Sequence, residues 1–351
     1  MHARAGVPLA PLTTLRVGGP AASMVDLDRE EQLPDALADA ESRGHGVFVL
    51  GSGSNVVVGD AGFQGLVIRM ATRGVDVRSD GDRVLLDVAA GEDWDALVAR
   101  AIAEGWTGVS SMSGIPGLVG ATPIQNVGAY GQEVSDTIVS VRVYDREARA
   151  FVDMEPPACR FGYRASLFKR SDRWIVTRVR FAFRRSREDD VRYAELSRAL
   201  SVPEGSRAPA EAIRSTILGL RRAKGMVLDA ADPESVSAGS FFVNPVVDAA
   251  TLARVESIAG KTPPRFDAGQ GRWKLAAAWL VEQAGFARGW TLGRAGISRK
   301  HALAIVNRGG ASSGEILSAA RTVRDGVRAR FSVTLEPEPV LVGCSWEDGG
   351  L

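Results

Sequence analysis

The sequence has few residues that could hold a metal or form a disulfide. Its 351 residues include two cysteines, Cys159 and Cys344, and three histidines, His2, His45 and His301. The cysteines lie far apart and neither belongs to a CxxC pair, so the usual zinc and soft-metal spacings are absent. We therefore expect no metal site and a reduced protein of the cytoplasm.

An excess of charge of either sign is also lacking. With 43 basic and 42 acidic residues, the chain offers no general attraction for nucleic acid or for an anionic membrane. The N-terminal residues MHARAGVPLA lack the apolar run of a signal peptide. We expect neither a nucleic-acid nor a membrane partner, and local groups must hold any anionic ligand. We expect the protein to be a monomer.

The pattern of apolar residues predicts two or three domains built from strands and helices. Residues 21–70 indicate an α/β unit, with a helix at 29–43 and strands at 21–28, 47–50, 56–58 and 65–70. Further helices are predicted at 93–104, 209–224, 273–284 and 312–330. The last of these begins at the capping-box pair Ser312 and Glu315. Residues 331–342 alternate in polarity and predict a closing strand, with Glu336 on its polar face directly before Pro337.

A glycine-rich turn, GSGSN, follows the strand at 47–50. Gly51 and Gly53 permit backbone torsions and close approaches that a side chain would block, and successive free amides there can bind an anion such as a diphosphate. A tight turn without a ligand is the alternative. The turn is not a Rossmann fingerprint, because Val56 stands at the third glycine position and no helix follows.

A segment without charged residues separates Glu104 from Glu133. Its prolines, polar residues and repeated glycines exclude a membrane-spanning helix. Small residues leave its backbone open for hydrogen bonds to a flat, polar-edged ring system and its phosphates. A buried loop packed on the core is the alternative, but so long a loop needs partners for its amides.

Five motifs in order along the chain resemble the UDP-N-acetylenolpyruvoylglucosamine reductase family: GSGSN at 51–55, SGIPGLVGATPIQNVGAYG at 113–131, CRFGYR at 159–164, AGSFFVNP at 238–245 and LEPE at 335–338. The resemblance implies an α+β fold class, with an FAD-binding fold of the vanillyl-alcohol-oxidase (PCMH) type in two subdomains and a C-terminal α+β substrate-binding domain. The implied boundaries are 1–75, joined by a returning strand at 336–351, then 76–210 and 211–335.

The resemblance also implies the reaction and the cofactor. An enzyme of this family reduces the enolpyruvyl ether of UDP-N-acetylglucosamine, a nucleotide-sugar substrate, with non-covalent FAD and with NADPH as co-substrate. The sequence has no second glycine-rich dinucleotide motif, which fits NADPH and the substrate using the same site in turn. The implied FAD-binding residues are Gly51, Ser52, Gly53, Ser54, Asn55, Val56, Ser113, Gly114, Ile115, Pro116, Gly117, Gly120, Ala121, Gln125, Asn126, Gly128, Ala129 and Gly131.

The family's catalytic residues fall on Arg164, Ser240 and Glu336. The arginine would polarise the substrate carboxylate with paired hydrogen bonds, a protonated glutamate would donate another, and the serine would supply the proton after hydride transfer. Taken alone, these residues would more often be a surface ion-pair partner, a turn residue and a solvated strand residue.

Near the implied substrate-binding residues the sequence departs from the family's pattern, because Gly225 to Leu228 lengthen the usual sequence after the lysine. His301 stands where a polar substrate-side residue is expected, and it could equally be structural. The full set is Tyr163, Tyr193, Arg221, Lys224, Asn244 and His301.

Two other functions compete with the reductase. A flavin oxidase of the same fold would often tether its FAD through His or Cys near the phosphate turn, and residues 51–59 contain neither. A flavin or nucleotide-sugar binding protein without catalysis would have no need of Arg164, Ser240 and Glu336 together.

Overall fold

A computed structural model of the protein describes residues 2–347. Its helices are α1 (Leu33–Ser42), α2 (Trp94–Ala103), α3 (Pro156–Cys159), α4 (Ala194–Leu200), α5 (Ala210–Ala223), α6 (Ala249–Ala259), α7 (Ala277–Gln283) and α8 (Ser313–Phe331). None of these helices combines the length and the apolar character that are needed to cross a membrane.

The strands are β1 (Arg4–Pro8), β2 (Pro20–Leu27), β3 (Gly46–Leu50), β4 (Val56–Val58), β5 (Phe63–Met70), β6 (Val75–Asp80), β7 (Arg83–Ala89), β8 (Trp106–Thr107), β9 (Gly128–Ala129), β10 (Gln132–Glu133), β11 (Ile138–Asp145), β12 (Ala150–Met154), β13 (Trp174–Arg185), β14 (Glu188–Asp190), β15 (Arg207–Pro209), β16 (Ser237–Ser240), β17 (Val246–Val247), β18 (Arg265–Asp267), β19 (Trp273–Leu275), β20 (Thr291–Leu292), β21 (Ala295–Ile297), β22 (Ala304–Asn307) and β23 (Val340–Val342).

Contacts group the described residues into two units. The first contains residues 2–5, 23–52 and 65–223, and the second contains residues 6–22, 53–64 and 224–347. The predicted three-part division, with its boundaries after 75, 210 and 335, stays a prediction. Residues 348–351 of the predicted returning strand lie outside the described residues.

A six-stranded antiparallel sheet dominates the first unit. Its order is β12-β11-β13-β7-β6, with β8 also paired to β13. The long strand β13 buries Phe181 and Phe183 against helix α2, whose Trp94 ring lies 6.0 Å from that of Phe181. Helix α2 begins where predicted, because the Asp93 side chain accepts a hydrogen bond from the Ala96 N–H at its N-terminus.

Most of the predicted α/β unit forms a smaller layer of the first unit, but its strand at 56–58 is β4 of the second unit. Strands β3 and β5 pair in parallel within a sheet of order β1-β2-β5-β3. Helix α1 buries Leu33, Ala36 and Ala40 in the same apolar cluster as residues of β2 and β5. Its first turn differs slightly from the prediction, since residues 30–32 form a 3-10 turn.

The second unit is built on a four-stranded sheet of order β16-β22-β21-β20. Helix α8 buries one apolar face in this unit's core. The predicted capping box is confirmed, because Ser312 Oγ accepts from the Glu315 N–H and Glu315 accepts from the Ser312 N–H. Strand β23 pairs in parallel with β4, residue Val340 opposite Val56.

The prediction of a helix over 273–284 was wrong in its first third, because α7 begins only at Ala277. Residues 273–275 form β19, which pairs with β17 and β18. Asn244 Oδ1 accepts a hydrogen bond from the Ala277 N–H, at 2.9 Å, where α7 begins. Pairing of β19 with β17 and β18, together with the Asn244 cap at Ala277, therefore decides where the helix begins, although the apolar residues alone follow a helical pattern from residue 273.

The prediction of one closing strand over 331–342 was also wrong. Phe331 ends α8, Ser332 takes a left-handed conformation with φ of +54°, and the ladder with β4 begins only at Val340. Pro337 does not end the pairing, because it forms an isolated bridge with Phe242. The alternating polarity of residues 331–336 nevertheless matches alternating burial of their side chains.

Gly59 provides a test of the β4 connection. Its N–H donates to Val342 O at 2.8 Å, and a Cβ at this position would overlap the carbonyl oxygen of Gly343. We expect Gly59→Ala to lower the free energy of unfolding by about 1–3 kcal/mol, since backbone must move to make room.

Gly219→Ala is the matched control. Gly219 lies within α5, and no atom outside the helix's own backbone lies within 4 Å of the place that a Cβ would take. The free energy of unfolding of this variant should therefore stay the same or rise by up to about 1 kcal/mol. Urea unfolding followed by circular dichroism compares the two. Equal stability of the Gly59 variant and the parent would contradict the packing described here.

Candidate active site

The glycine-rich turn runs from the end of β3 to the start of β4, so that Gly51 and Ser52 belong to the first unit and residues 53–56 to the second. Gly53 has a φ of +66°, and a Cβ there would collide with the backbone of Leu12. Its carbonyl accepts from the Thr14 N–H at 3.1 Å. Asn55 Nδ2 donates to Glu338 O at 3.4 Å. The second half of the turn is thus fixed by its own unit.

Two carboxylates outside the uncharged segment hold its first amides. Asp189, on β14, is fully buried and accepts from the N–H groups of Gly108, at 2.9 Å, and Ser110, at 3.2 Å. Asp95, in the first turn of α2, accepts from the Gly114 N–H at 2.6 Å. Carboxylates from β14 and α2 are thus the partners that the first amides of this buried loop require.

Arginines neutralise both carboxylates. Arg214 forms a bidentate pair with Asp95, at 2.6 and 2.9 Å, and Arg184 contacts Asp189 at 3.3 Å. Burial by itself would raise the pKa of Asp95. Hydrogen bonds from Arg214 and the Gly114 N–H, together with the positive charges of Arg214 and Arg221, lower it by more, so the pKa lies below its ordinary value. Asp95 is therefore an anion at neutral pH.

The second half of the segment is fastened through backbone and amide groups. The Gly120 N–H donates to Ala90 O at 2.9 Å, and a Cβ at Gly120 would overlap that of Ala90. Gly128 and Ala129 form β9, which pairs with β10. The Gly120 amide is therefore used within the protein, and the predicted FAD contacts of these residues stay predictions.

Asn126 joins the segment to the loop that carries Arg164. Its side chain is 1% exposed, and its Nδ2 donates to Glu133 Oε2 at 2.8 Å and to Gly162 O at 3.2 Å. Its Oδ1 accepts from the Ser135 N–H at 3.1 Å. The sequence predicts Asn126 as an FAD ligand, whereas these bonds give it a structural task.

Three further contacts define the position of Arg164. Its Nη2 donates to Gly128 O at 2.5 Å, and its own carbonyl accepts from Lys169 Nζ at 2.8 Å. Its backbone has a φ of +51°, a conformation that is unusual for a residue with a side chain. The guanidinium lies 5.3 Å from the centre of the Tyr163 ring, which is largely exposed.

Tyr193 and Arg221 lie near one another in the first unit. Tyr193 packs edge-on against Tyr130 with 5.8 Å between ring centres, and the charge of Arg221 acts on Tyr130. Burial raises the pKa of Tyr130 to about 12, so its hydroxyl keeps its proton at neutral pH. Arg221 Nε also donates to Gly114 O at 3.3 Å.

Ser240 and Glu336 lie in the second unit, on segments that pair through their backbones. Ser240 ends β16 opposite Ala304, directly after a register irregularity in the ladder. Val243 N–H donates to Glu336 O at 3.1 Å, and the Glu336 side chain is exposed. A bulge beside a functional side chain is a common way to change its direction.

The other substrate-side candidates also belong to the second unit. Asn244 Oδ1 caps α7 as described above, and Lys224 is half-buried directly after α5. His301 Nδ1 accepts from the Leu303 N–H at 3.0 Å, so in the neutral ring the proton lies on Nε2. The structure thus divides the predicted site residues between two units, with Arg164 in the first and Ser240 and Glu336 in the second.

Buried polar groups test whether a cofactor such as FAD fits the uncharged segment. Among the described residues, the hydroxyls of Thr107, Ser110 and Ser111 are buried without a hydrogen-bond partner. Leaving such groups unsatisfied costs free energy, and native proteins rarely do so without a ligand or water. Two of them directly precede the predicted FAD-binding residues 113–117, so the residues present fit a polar cofactor. The described residues contain no cluster of three or more His, Cys, Asp or Glu that could hold a metal.

Known proteins resemble this chain over nearly its whole length. A family model described as UDP-N-acetylenolpyruvoylglucosamine reductase, C-terminal domain, matches residues 232–342, and one described as FAD binding domain matches residues 21–151. The UDP-N-acetylenolpyruvoylglucosamine reductase of Saccharopolyspora erythraea is 50% identical over 97% of this chain and 96% of that protein. The reductase of Thermobifida fusca is 48% identical over 96% and 97%.

This chain belongs to the UDP-N-acetylenolpyruvoylglucosamine reductase family. The crystal structure of UDP-N-acetylenolpyruvylglucosamine reductase from Thermus caldophilus, 26% identical, aligns with a TM-score of 0.67 over 97% of this chain and 98% of that one. The predicted family is therefore confirmed. So is the fold class, an α+β protein with an FAD-binding fold and the family's C-terminal domain.

Sequence reasoning missed the residues that support the reductase family's motifs from outside. Asp189 and Asp95 accept hydrogen bonds from the uncharged segment, Arg214 holds Asp95, and none of the three was selected. Only the absence of charge between Glu104 and Glu133 hinted at them, because a buried loop of that kind requires acceptors from elsewhere.

Substitutions of Asn126 test the connection between the uncharged segment and the loop that carries Arg164. We expect Asn126→Ala to cost about 1–3 kcal/mol of stability, because it leaves a buried N–H and a buried carbonyl without partners. Asn126→Asp should cost at least as much, since a carboxylate would then face Glu133 and Gly162 O.

Unfolding of the FAD-free protein measures these costs, so loss of a cofactor contact does not enter them. Gln64→Ala, which removes an exposed hydrogen bond to Ala61 O, is the control and should change stability by less than about 0.5 kcal/mol. Wild-type stability of both Asn126 variants would refute the structural role.

Proposed function

We propose that this chain is the FAD-dependent reductase that converts enolpyruvyl-UDP-N-acetylglucosamine to UDP-N-acetylmuramate, using NADPH, in peptidoglycan synthesis. The observation that carries the proposal is the similarity to reductases of this name over nearly the full length of both chains, at 50% identity. The motif residues Arg164, Ser240 and Glu336 are all present.

The cofactor is FAD, which when bound supplies the hydride that NADPH provides. Residues 51–56 and 113–131 would hold it, through backbone groups and small side chains. The buried hydroxyls of Ser110 and Ser111 and the absence of charged residues within the segment itself support this assignment. The proposed FAD is non-covalent, since residues 51–59 contain neither His nor Cys.

Arg164 binds and polarises the substrate carboxylate in this proposal. An enol ether is electron-rich at the carbon that must accept hydride, so the reaction needs a cation that takes up the developing negative charge. A guanidinium does this with two parallel hydrogen bonds. The bond from Arg164 Nη2 to Gly128 O orients the side chain before substrate arrives, and the bond from Lys169 Nζ to the Arg164 carbonyl holds its backbone.

Ser240 delivers the proton that completes the reduction, and Glu336 in its acid form donates a hydrogen bond to the substrate carboxylate. Support for this pairing comes from the backbone bond between Val243 and Glu336, which ties the two segments together. A serine hydroxyl is a weak acid, so it needs the negative charge that builds up on the neighbouring carbon to draw its proton away.

The sugar nucleotide would be held by Tyr163, Tyr193, Arg221, Lys224, Asn244 and His301. The cations Arg221 and Lys224 suit a diphosphate, and an exposed tyrosine such as Tyr193 suits a nucleotide ring or ribose. NADPH and the sugar nucleotide would use this site in turn. We place the protein in the cytoplasm, as a monomer, where both NADPH and the nucleotide sugar are found.

The proposed roles separate into two half-reactions. The purified protein should be yellow, should lose its flavin absorbance when NADPH is added anaerobically, and should regain it on addition of the enolpyruvyl sugar nucleotide. Rapid recovery of colour with oxygen but not with the sugar nucleotide would favour an oxidase instead.

In Ser240→Ala, the rate at which NADPH bleaches the flavin should stay within about twofold of the wild-type rate. Reoxidation by the sugar nucleotide should slow by about 10²-fold or more, because proton donation is lost. Stopped-flow absorbance at the flavin band measures both steps. Ser197→Ala, a change on α4 that removes a hydrogen bond to Val202 O, is the control and should affect neither. Equal slowing of both steps in the Ser240 variant would contradict its role as proton donor.

A further inference from the structure

Gly114 is the one residue of the uncharged segment with both backbone groups held by charged side chains in the bonds described above. Its N–H donates to Asp95 Oδ1 at 2.6 Å, and its carbonyl accepts from Arg221 Nε at 3.3 Å. Its φ of +72° is a conformation that glycine adopts easily. Charge-assisted bonds of this kind are stronger than neutral ones.

Helix geometry explains how these charges meet. Arg214 and Arg221 stand seven residues apart on α5, which is about two turns, so both point from one face of the helix. Asp95 lies in the first turn of α2, where the helix dipole favours an anion. Arg214 then binds both oxygens of Asp95, which fixes the orientation of that carboxylate.

We propose that Asp95 and Arg214 form a positioning pair, which holds Gly114, and with it residues 113–117, in the conformation that receives the flavin. Neither residue belongs to the motifs that identify the family. The inference rests on the proposed function, because it takes residues 113–117 as part of the FAD site.

The pair also balances charge beside the segment. Asp95 and Arg214 cancel, and Arg221 adds one positive charge next to Gly114. Removing the Asp95 charge makes the surroundings of Gly114 more positive by one charge, which favours the reduced, more negative flavin and raises its midpoint potential. Removing the Arg214 charge does the opposite. A purely structural role would not give shifts of opposite sign.

The experiment compares four variants of the full-length protein. Asp95→Ala should weaken FAD binding by about tenfold or more, which corresponds to ~1.4 kcal/mol, because Gly114 loses its acceptor. Asp95→Asn should weaken it less, since the amide oxygen can still accept from Gly114. Titration of flavin-free protein with FAD, followed by flavin fluorescence, gives the dissociation constants.

Asp93→Ala is the matched control. Asp93 is also an acidic residue at the start of α2, and its side chain caps the helix without a bond to Gly114. This variant should lose stability but keep the FAD dissociation constant within about twofold. Circular dichroism and thermal unfolding establish that each variant is folded. If Asp95→Ala does not fold, the FAD dissociation constant of Asp95→Asn is compared with that of the parent instead.

The midpoint potentials complete the test. The flavin of Asp95→Asn should have a higher potential than the parent, and that of Arg214→Met a lower one. Wild-type FAD affinity in Asp95→Ala, an equal loss in Asp93→Ala, or potential shifts of the same sign would overturn the positioning pair while leaving the reductase function intact. A parent protein that does not bind FAD would instead overturn the proposed function itself, and the pair with it.

Discussion

The first unit depends on finding partners for the backbone of a long, buried, uncharged segment. Such a segment has to satisfy its amides inside the protein, because water does not reach most of them. Asp189 and Asp95 do this from β14 and α2, for the amides of Gly108, Ser110 and Gly114. Arg214 keeps the half-buried Asp95 in its charged form, and Arg184 contacts the fully buried Asp189.

This arrangement places rigid supports around residues that themselves have little side chain. Glycine and serine let a ligand approach the backbone closely, but they cannot stabilise one loop conformation by packing. The conformation is instead fixed by side chains on the neighbouring sheet strands and helices. The Arg164 loop depends on the same principle, because Asn126, Gly128 and Lys169 all contact it. A site prepared in this way loses little ordering entropy when its ligand binds.

The sequence predicted the elements whose signals are local. The capping box at Ser312 lies where it was expected, because a cap depends on residues three positions apart. Residues 273–275 were misjudged, since their strand depends on β17 and β18, and such long-range pairings leave no local trace. For residues 331–336, the alternating polarity correctly predicted which side chains are buried. It did not indicate that these residues pair with no neighbouring strand in a ladder.

The family and its reaction could be recognised from motif residues alone, since five motifs in order are specific. The supports of those motifs could not. Asp95 and Arg214 are 119 positions apart in the sequence, and nothing in either local pattern indicates that they meet. For Gly120 and Asn126, the predicted contact with a cofactor stays a prediction, and the structure adds bonds and close packing within the protein that the sequence did not indicate.

Amide hydrogen exchange of the FAD-free protein tests most directly whether the uncharged segment is formed before its ligand binds. The account predicts that the amides of Gly108, Ser110 and Gly114 exchange slowly without FAD, at rates close to those of the neighbouring sheet. Exchange of these three amides as fast as in an unstructured peptide, with protection only after FAD is added, would contradict it.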